Sequence, residues 1–389
     1  MKVSTSMIFY FFLIGYVIFG LSISAIPSFS KLGFVFVFSG VLFFIVYFTP
    51  VIKSEGLPSY FLWYSFFYIF IVFSYIWSPL SMGFVPVGSI LTVYLFSTML
   101  FFGINYKLIS PLGLVIVFLL PGIINFVAFN LGVNYVSELY DIETEAAMKR
   151  FGGLVGHPNA MLSRIMLPLF ISILFVKELT KLRLFNKLIL PIILLLCIFA
   201  MYSSGSKKAL LFFIISVPMI LSYYPKIKNT IYFISITALS VFLLGGITLM
   251  QTSLFDTNLE VINRLEEMLD GDESTYERFD MIFMGIDYFL SSPIFGNGLD
   301  SFSYLSNLGY YSHNNLVELL VSGGVIAASL YYFMIFNSLK GYFVNRGFVS
   351  LFFLCLLLIS FDVTGVTYSD RSLQIFIFLL YSKYYCKIV

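Results

Sequence analysis

The run Ile109–Gly132, ISPLGLVIVFLLPGIINFVAFNLG, holds twenty-four residues without one ionisable side chain. As a helix rising 1.5 Å per residue it would be about 36 Å long, more than the ~30 Å hydrocarbon core of a bilayer. In lipid a backbone must satisfy its own hydrogen bonds, so such a run reads as a membrane-spanning helix. Eleven further runs share the pattern, at 7–24, 33–52, 59–77, 83–103, 160–176, 188–202, 208–224, 230–250, 315–338, 347–367 and 371–385. The chain therefore reads as all-α and polytopic, with about twelve transmembrane helices in a single transmembrane domain over residues 1–389. The first run follows Lys2 and carries Ser22 and Ser24 just before Ala25, a signal-peptide-like end, yet it reads best as a retained first span.

Composition agrees. The chain is 60% hydrophobic and 11% charged, with a mean hydropathy of +0.97, where a soluble domain is about half apolar. Its net charge of +2 is spread between apolar runs with no basic patch, which excludes a nucleic-acid partner. Cys197 and Cys355 sit inside apolar runs and Cys386 near the end, so all three read as thiols without metal-ligand spacing.

Lysine and arginine gather in cytoplasmic connections. With both termini in the cytoplasm, thirteen of the twenty-two fall inside, and the cluster Lys177–Lys187 anchors the middle of the chain. Three external segments result: 133–159 with RFGGLVGHPN, the short turn 203–207 with SSGSK, and the long interval 251–314.

The long interval holds eleven of the twenty acidic residues, and 251–273 reads as an acidic arm. Ser274 and Glu277 have capping-box spacing, so a helix is expected over 274–291 with Arg278 in its first turn. Phe279, Ile282, Phe283, Ile286, Phe289 and Leu290 recur at helical spacing, giving a stripe suited to the membrane surface. There Arg278 either binds an anion beside the helix start or pairs with its acidic neighbours. PIFGNG follows, with Gly296 and Gly298 free to turn the chain back. His313 stands before the tenth span, with Asn315 as N-cap and Glu318 three residues on. A helix N-terminus disfavours a protonated imidazole and would keep His313 available as a base; the alternative is an interfacial histidine without a role. Gly323-Gly324 within this span would permit close packing or a bend.

The second histidine stands alike: His157-Pro158-Asn159 precedes the sixth span, with Asn159 as expected cap. Arg150 is a further external cation. Arg164 lies one turn inside the sixth span, where it needs a carboxylate, Asp362 or Glu318, or an anionic ligand. Lys207 and Lys208 open a helix on the external side, against the usual bias, and either bind an anion or snorkel to headgroups.

In order and sidedness, RFGGLVGHPNA, SSGSKKALL, the Arg278 helix with PIFGNGLDSF, and SHNNLVELLVSGG resemble the successive motifs of the O-antigen ligase and Wzy-type polysaccharide polymerase superfamily, over Arg150 to Tyr332. The resemblance implies a metal-independent, cofactor-free enzyme of the bacterial cytoplasmic membrane with an extracytoplasmic active site. It would move a glycan from a polyprenyl diphosphate carrier to a sugar hydroxyl. The resemblance makes His313 the base, Arg278 a diphosphate clamp and Arg150 a further anion contact. Arg164 and Lys207 are the remaining candidate diphosphate ligands, and Asn315, Glu318, Gly296, Gly298, His157 and Asn159 candidate structural residues. Where the family commonly has Ser-Arg, this chain has Ser206-Lys207, which keeps the charge but loses bidentate geometry. A polymerase would accept another lipid-linked unit, with a flippase and a chain-length regulator as partners; a ligase would use a lipid or cell-wall acceptor. A flippase or transporter, the reading from another class, would show internal repeats and ionisable groups near mid-membrane.

Overall fold

The computed structural model describes residues 2–79, 85–135, 151–204, 206–223 and 273–384, and among these every regular element is helical. In chain order they are α1 (Lys2–Tyr16, ending in a π-helical turn to Ser22), α2 (Pro27–Glu55), α3 (Ser59–Phe73, with a 3₁₀ turn to Trp77), α4 (Val85–Asn105), α5 (Pro111–Phe118), α6 (Leu120–Asn130), α7 (Pro158–Leu174) and α8 (Val176–Leu179). After a π-helical turn Phe185–Ile189 come α9 (Leu190–Ser204), α10 (Lys207–Leu221), α11 (Glu273–Ser291), α12 (Ser301–Leu305), α13 (Asn315–Arg346), α14 (Phe348–Thr364) and α15 (Arg371–Tyr384).

Seven helices among the described residues are long and apolar enough to cross a membrane, and three shorter ones are apolar, as expected of a multi-pass membrane protein. The expected ninth span at 230–250, the acidic arm 251–273 except for Glu273, and Arg150 lie outside the described residues. The chain divides into two compact units, residues 1–39 with 106–272 and residues 40–105 with 273–389.

In the first unit the opening run is α5 and α6 in succession. Ser110 caps α5, its hydroxyl accepting from the Gly113 amide, with Pro111 in the first turn where no donor is needed. Pro121, having no N–H, cannot continue the i→i−4 ladder, and the helix breaks at Leu119. The middle of the unit is α7, buried on every side from Met161 to Leu174 except at Arg164. A helix apolar all round belongs inside a bundle, and α7 packs there with Phe170 edge-on to Phe212, ring centroids 5.6 Å apart.

The second unit is built on α13. Its side chains pack against α3, α11, α14 and α15. The short α15 is buried along most of its length and starts at Asp370, whose Oδ1 accepts from the Ser372 and Leu373 amides at 2.8 and 2.9 Å. Tyr64, Tyr68, Tyr331 and Tyr381 cluster in the core, each buried. Gln374 donates to the Tyr331 hydroxyl and the Thr367 carbonyl, both at 3.0 Å, and Tyr64 pairs with Ser97 at 2.7 Å. Buried hydroxyls need such partners, so this core is held by hydrogen bonds as well as by ring packing.

Candidate functional site

Two motifs that lie far apart in the sequence form one joint in the second unit. Helix α13 is broken at Gly324, which takes φ 63° and ψ −163°, a conformation open only to glycine. A break frees carbonyls before it and amides after it. PIFGNG supplies partners for both sets: the Asn297 and Gly298 amides donate to the Val321 and Ser322 carbonyls at 2.7 and 3.0 Å. In return the Val325 amide donates to the Pro293 carbonyl at 2.9 Å and that of Ile326 to the Ile294 carbonyl at 3.4 Å. The backbones touch so closely that a Cβ on Gly296 would come 2.5 Å from the Gly323 nitrogen. Gly298 fits equally tightly against the 3₁₀ turn, where Ser78 Oγ donates to the Leu299 carbonyl at 2.8 Å. The glycines of PIFGNG and the Gly323-Gly324 pair therefore serve one contact.

The joint leads into the SHNN turn. Asn314, one residue earlier than expected, is the N-cap of α13, its side chain accepting from the Val317 amide at 3.1 Å. Glu318 does reach back, but past the cap: its Oε2 accepts from the Ser312 amide at 3.1 Å and the Ser312 hydroxyl at 3.0 Å. Asn315, inside the helix, accepts from the Tyr368 amide at 3.1 Å and donates to the Tyr332 hydroxyl at 3.3 Å. Tyr332 in turn donates to Asp362 at 3.0 Å, and Thr367 does so at 3.1 Å. Residues on both sides of His313 are thus fixed, and His313 itself is held at φ 54°, partly exposed, with the Tyr311 ring 4.4 Å away by centroids. A non-glycine residue at positive φ persists only where its surroundings enforce it, and here the two flanking caps do so.

Helix α11 begins at Glu273, so Ser274 lies within it and Arg278 is in its second turn, beyond the first-turn amides expected to share an anion with it. A second apolar face of the helix packs on the protein. Met281 is buried with Phe302, Val317 and Val321, and Ile282, Met284 and Tyr288 pack around them. Phe279, Phe283, Ile286 and Leu290 face outward, 44 to 65% exposed, an apolar stripe of the kind that lies on a membrane surface. Arg278 is exposed and has no carboxylate partner among the described residues.

In the first unit, 151–159 and the 203–206 turn are tied together. The Phe151 amide donates to the Ser203 carbonyl at 3.1 Å, and Ser206 Oγ donates to Asn159 Oδ1 at 2.9 Å. Asn134 Oδ1 accepts from the Gly152 and Gly153 amides, and Asn125 Oδ1 from that of Leu154. His157, and not Asn159, caps α7: its Nδ1 accepts from the Asn159 amide at 3.1 Å and the Ala160 amide at 3.4 Å. That puts the ring proton on Nε2. Arg164 donates from one terminal nitrogen to the Leu21 carbonyl and the Ser24 hydroxyl at the end of the π-helical turn. Glu318 and Asp362 accept from hydroxyls of their own unit. Lys207 opens α10 directly after Ser206.

In comparison with known families, residues 192–332 match the O-antigen ligase family. The likeness covers just over a third of the chain. The O-antigen ligase segment includes Lys207, Arg278, Gly296, Gly298, His313, Asn315 and Glu318, and so contains the whole joint and the SHNN turn. It leaves out RFGGLVGHPNA and, with it, Arg150, His157, Asn159 and Arg164. No curated protein matches the chain. Members of that family are glycosyltransferase-like enzymes.

The O-antigen ligase segment also holds a residue that sequence reasoning passed over. Asp300 sits between the joint and α12 at φ 59°, beside Gly298-Leu299. It occupies the N-cap position of α12 but its side chain caps nothing. Burial pushes its carboxyl up to about 6. Because the folded state raises this pKa above its ordinary value, Asp300 contributes stability that is full below about pH 4 and lost as pH rises through about 6. Asp300→Asn should therefore flatten the decline in melting temperature between pH 4 and 6.5 in detergent; equal slopes for the two proteins would show that Asp300 does not titrate there.

Proposed function

We propose that the chain is a Wzy-type polymerase. It transfers a surface-polysaccharide repeat from a polyprenyl diphosphate carrier to the sugar hydroxyl of another lipid-linked unit, on the extracytoplasmic face of the cytoplasmic membrane. The observation that carries the reading is the SHNN turn within the O-antigen ligase segment, which spends the Ser312, Asn314, Asn315 and Glu318 side chains on holding His313 at positive φ. His313 takes the proton from the acceptor hydroxyl as that oxygen bonds to the anomeric carbon. The bond from that carbon to the diphosphate oxygen breaks, and polyprenyl diphosphate leaves with the electron pair. A single displacement of this kind inverts the anomeric configuration, and a retained configuration in the product would rule it out.

Charge grows on the diphosphate as it leaves, so a guanidinium beside it lowers the barrier. Arg278, exposed and without a carboxylate partner among the described residues, is suited to that role. Arg150 and Lys207 are assigned to the diphosphate by resemblance, and Arg164, which also donates to the Leu21 carbonyl and the Ser24 hydroxyl, remains a candidate ligand beside them. For the carrier's isoprenoid chain, the second unit offers an apolar groove of about 600 Å³ between Phe66, Ile69, Phe70, Phe73 and Trp77 on one side and Phe295 on the other. A flippase and a chain-length regulator are the partners such a polymerase would work with.

Arg278→Ala should lower the rate of transfer by about 10² to 10³. Arg278→Lys should recover only part of it, since an ammonium cannot make the bidentate contact. Single-turnover rates with a lipid-linked oligosaccharide would check both, and an unchanged rate for Arg278→Ala would remove this residue from the mechanism. The matched family's description as O-antigen ligase favours a second reading, transfer to a lipid or cell-wall acceptor. A deletion strain separates the two: single lipid-linked repeats accumulate if the chain is a polymerase, long lipid-linked chains if it is a ligase.

A further inference from the structure

Beside the SHNN turn lies a cavity of about 260 Å³, with Asp300, Glu318, Tyr311, Tyr368, Ser89 and Ser369 among its lining residues. Glu318 is 1% exposed, and while its Oε2 is bonded to Ser312, its Oε1 has no hydrogen-bond partner. A buried carboxylate oxygen left unpaired costs free energy, so an arrangement that keeps one at a cavity wall calls for a donor supplied from outside. The neighbouring Asp300 carboxylate makes no cap and no hydrogen bond to a described residue. Carboxyl oxygens accept and a protonated carboxyl also donates, so the pair suits a ligand whose groups do both, as hydroxyls do. Tyr311 adds an aromatic face, and its ring also lies against His313.

We propose that this cavity binds the acceptor-end sugar as a single neutral, hydroxyl-rich pyranose ring. Its hydroxyls donate to Glu318 Oε1 and to Asp300, and its apolar face lies on Tyr311. The volume lies just below the range of about 300 to 1,000 Å³ usual for ligand pockets, which suits one ring and not a disaccharide. Two acidic walls also exclude a uronic acid, because a third carboxylate would meet like charge in a desolvated site. The inference rests on the glycan-transfer reading of His313 and extends it from the base to the substrate the base acts on.

Saturation-transfer NMR with the full-length protein in nanodiscs tests it, using methyl glycosides of neutral hexoses and of N-acetylhexosamines, with methyl glucuronoside as the acidic probe. At least one neutral glycoside should give signal in the wild type, lost at least five-fold in both Asp300→Asn and Glu318→Gln, while methyl glucuronoside gives none at pH 7.5. The proposal is overturned if no neutral glycoside binds, if the two variants bind as the wild type does, or if the glucuronoside binds equally well. His313→Ala separates this proposal from the reading beneath it. Sugar binding retained with transfer lost supports both; transfer retained in His313→Ala overturns the catalytic reading even where Asp300→Asn loses the sugar.

Discussion

His313→Ala should abolish glycan extension while the protein still inserts and folds. A base within reach of the acceptor hydroxyl contributes about 10² to 10⁴ in rate, enough to take polymer below detection in cells. The turn should keep its shape, because Ser312, Asn314 and Glu318 bond it on either side of His313. Alanine at φ 54° costs a little more than histidine there, and melting temperatures of the purified proteins would measure how little. His157→Ala offers the contrast. His157 caps α7 through Nδ1, so its loss should cost about 1 kcal/mol of stability through the cap and leave the chemistry in place.

The largest structural effect is expected at Gly324. Its φ of 63° and ψ of −163° belong to a region closed to side chains, and an added Cβ would run into the Ile294 carbonyl. Backbone strain of about 1 to 3 kcal/mol would add to the clash, so Gly324→Ala should cost more than about 3 kcal/mol. It should also separate PIFGNG from α13 and so release the loop that leads to His313. Gly88→Ala is the control: that glycine lies in α4 with nothing within 4 Å of its would-be Cβ, and the substitution should leave stability unchanged or slightly raised. Thermal melting in detergent with intact-protein yield from membranes checks the pair; similar values for the two variants would mean that the joint does not hold the loop.

Much of the architecture could be read from the sequence because lipid allows few solutions. Apolar runs such as 59–77 and 371–385 correspond closely to α3 with its 3₁₀ turn and to α15. The run expected to stop at 338 continues to Arg346, since exposed Lys340 can remain helical while its ammonium reaches for water and Arg346 donates to the Tyr384 hydroxyl. The caps shifted for a local reason. Imidazole is not among the usual capping side chains, so Asn159 drew the assignment that His157 fills, and of two adjacent asparagines it is Asn314 that caps. The α11 stripe was visible, but periodicity alone does not say which of two apolar faces meets protein, and Met281 with Gly285 makes that contact. The joint between PIFGNG and Gly323-Gly324, and the meeting of Asp300 with Glu318 at one cavity, depend on backbone pairing between distant segments and leave no periodic trace in the chain.

The most direct test of glycan transfer is reconstitution of the full-length protein in liposomes with a polyprenyl-diphosphate-linked oligosaccharide labelled in its sugar. Longer lipid-linked glycans should appear together with free polyprenyl diphosphate in the wild type, and neither should appear with His313→Ala. Polymer at the wild-type rate from His313→Ala, or labelled lipid that crosses the bilayer without being extended, would contradict the assignment.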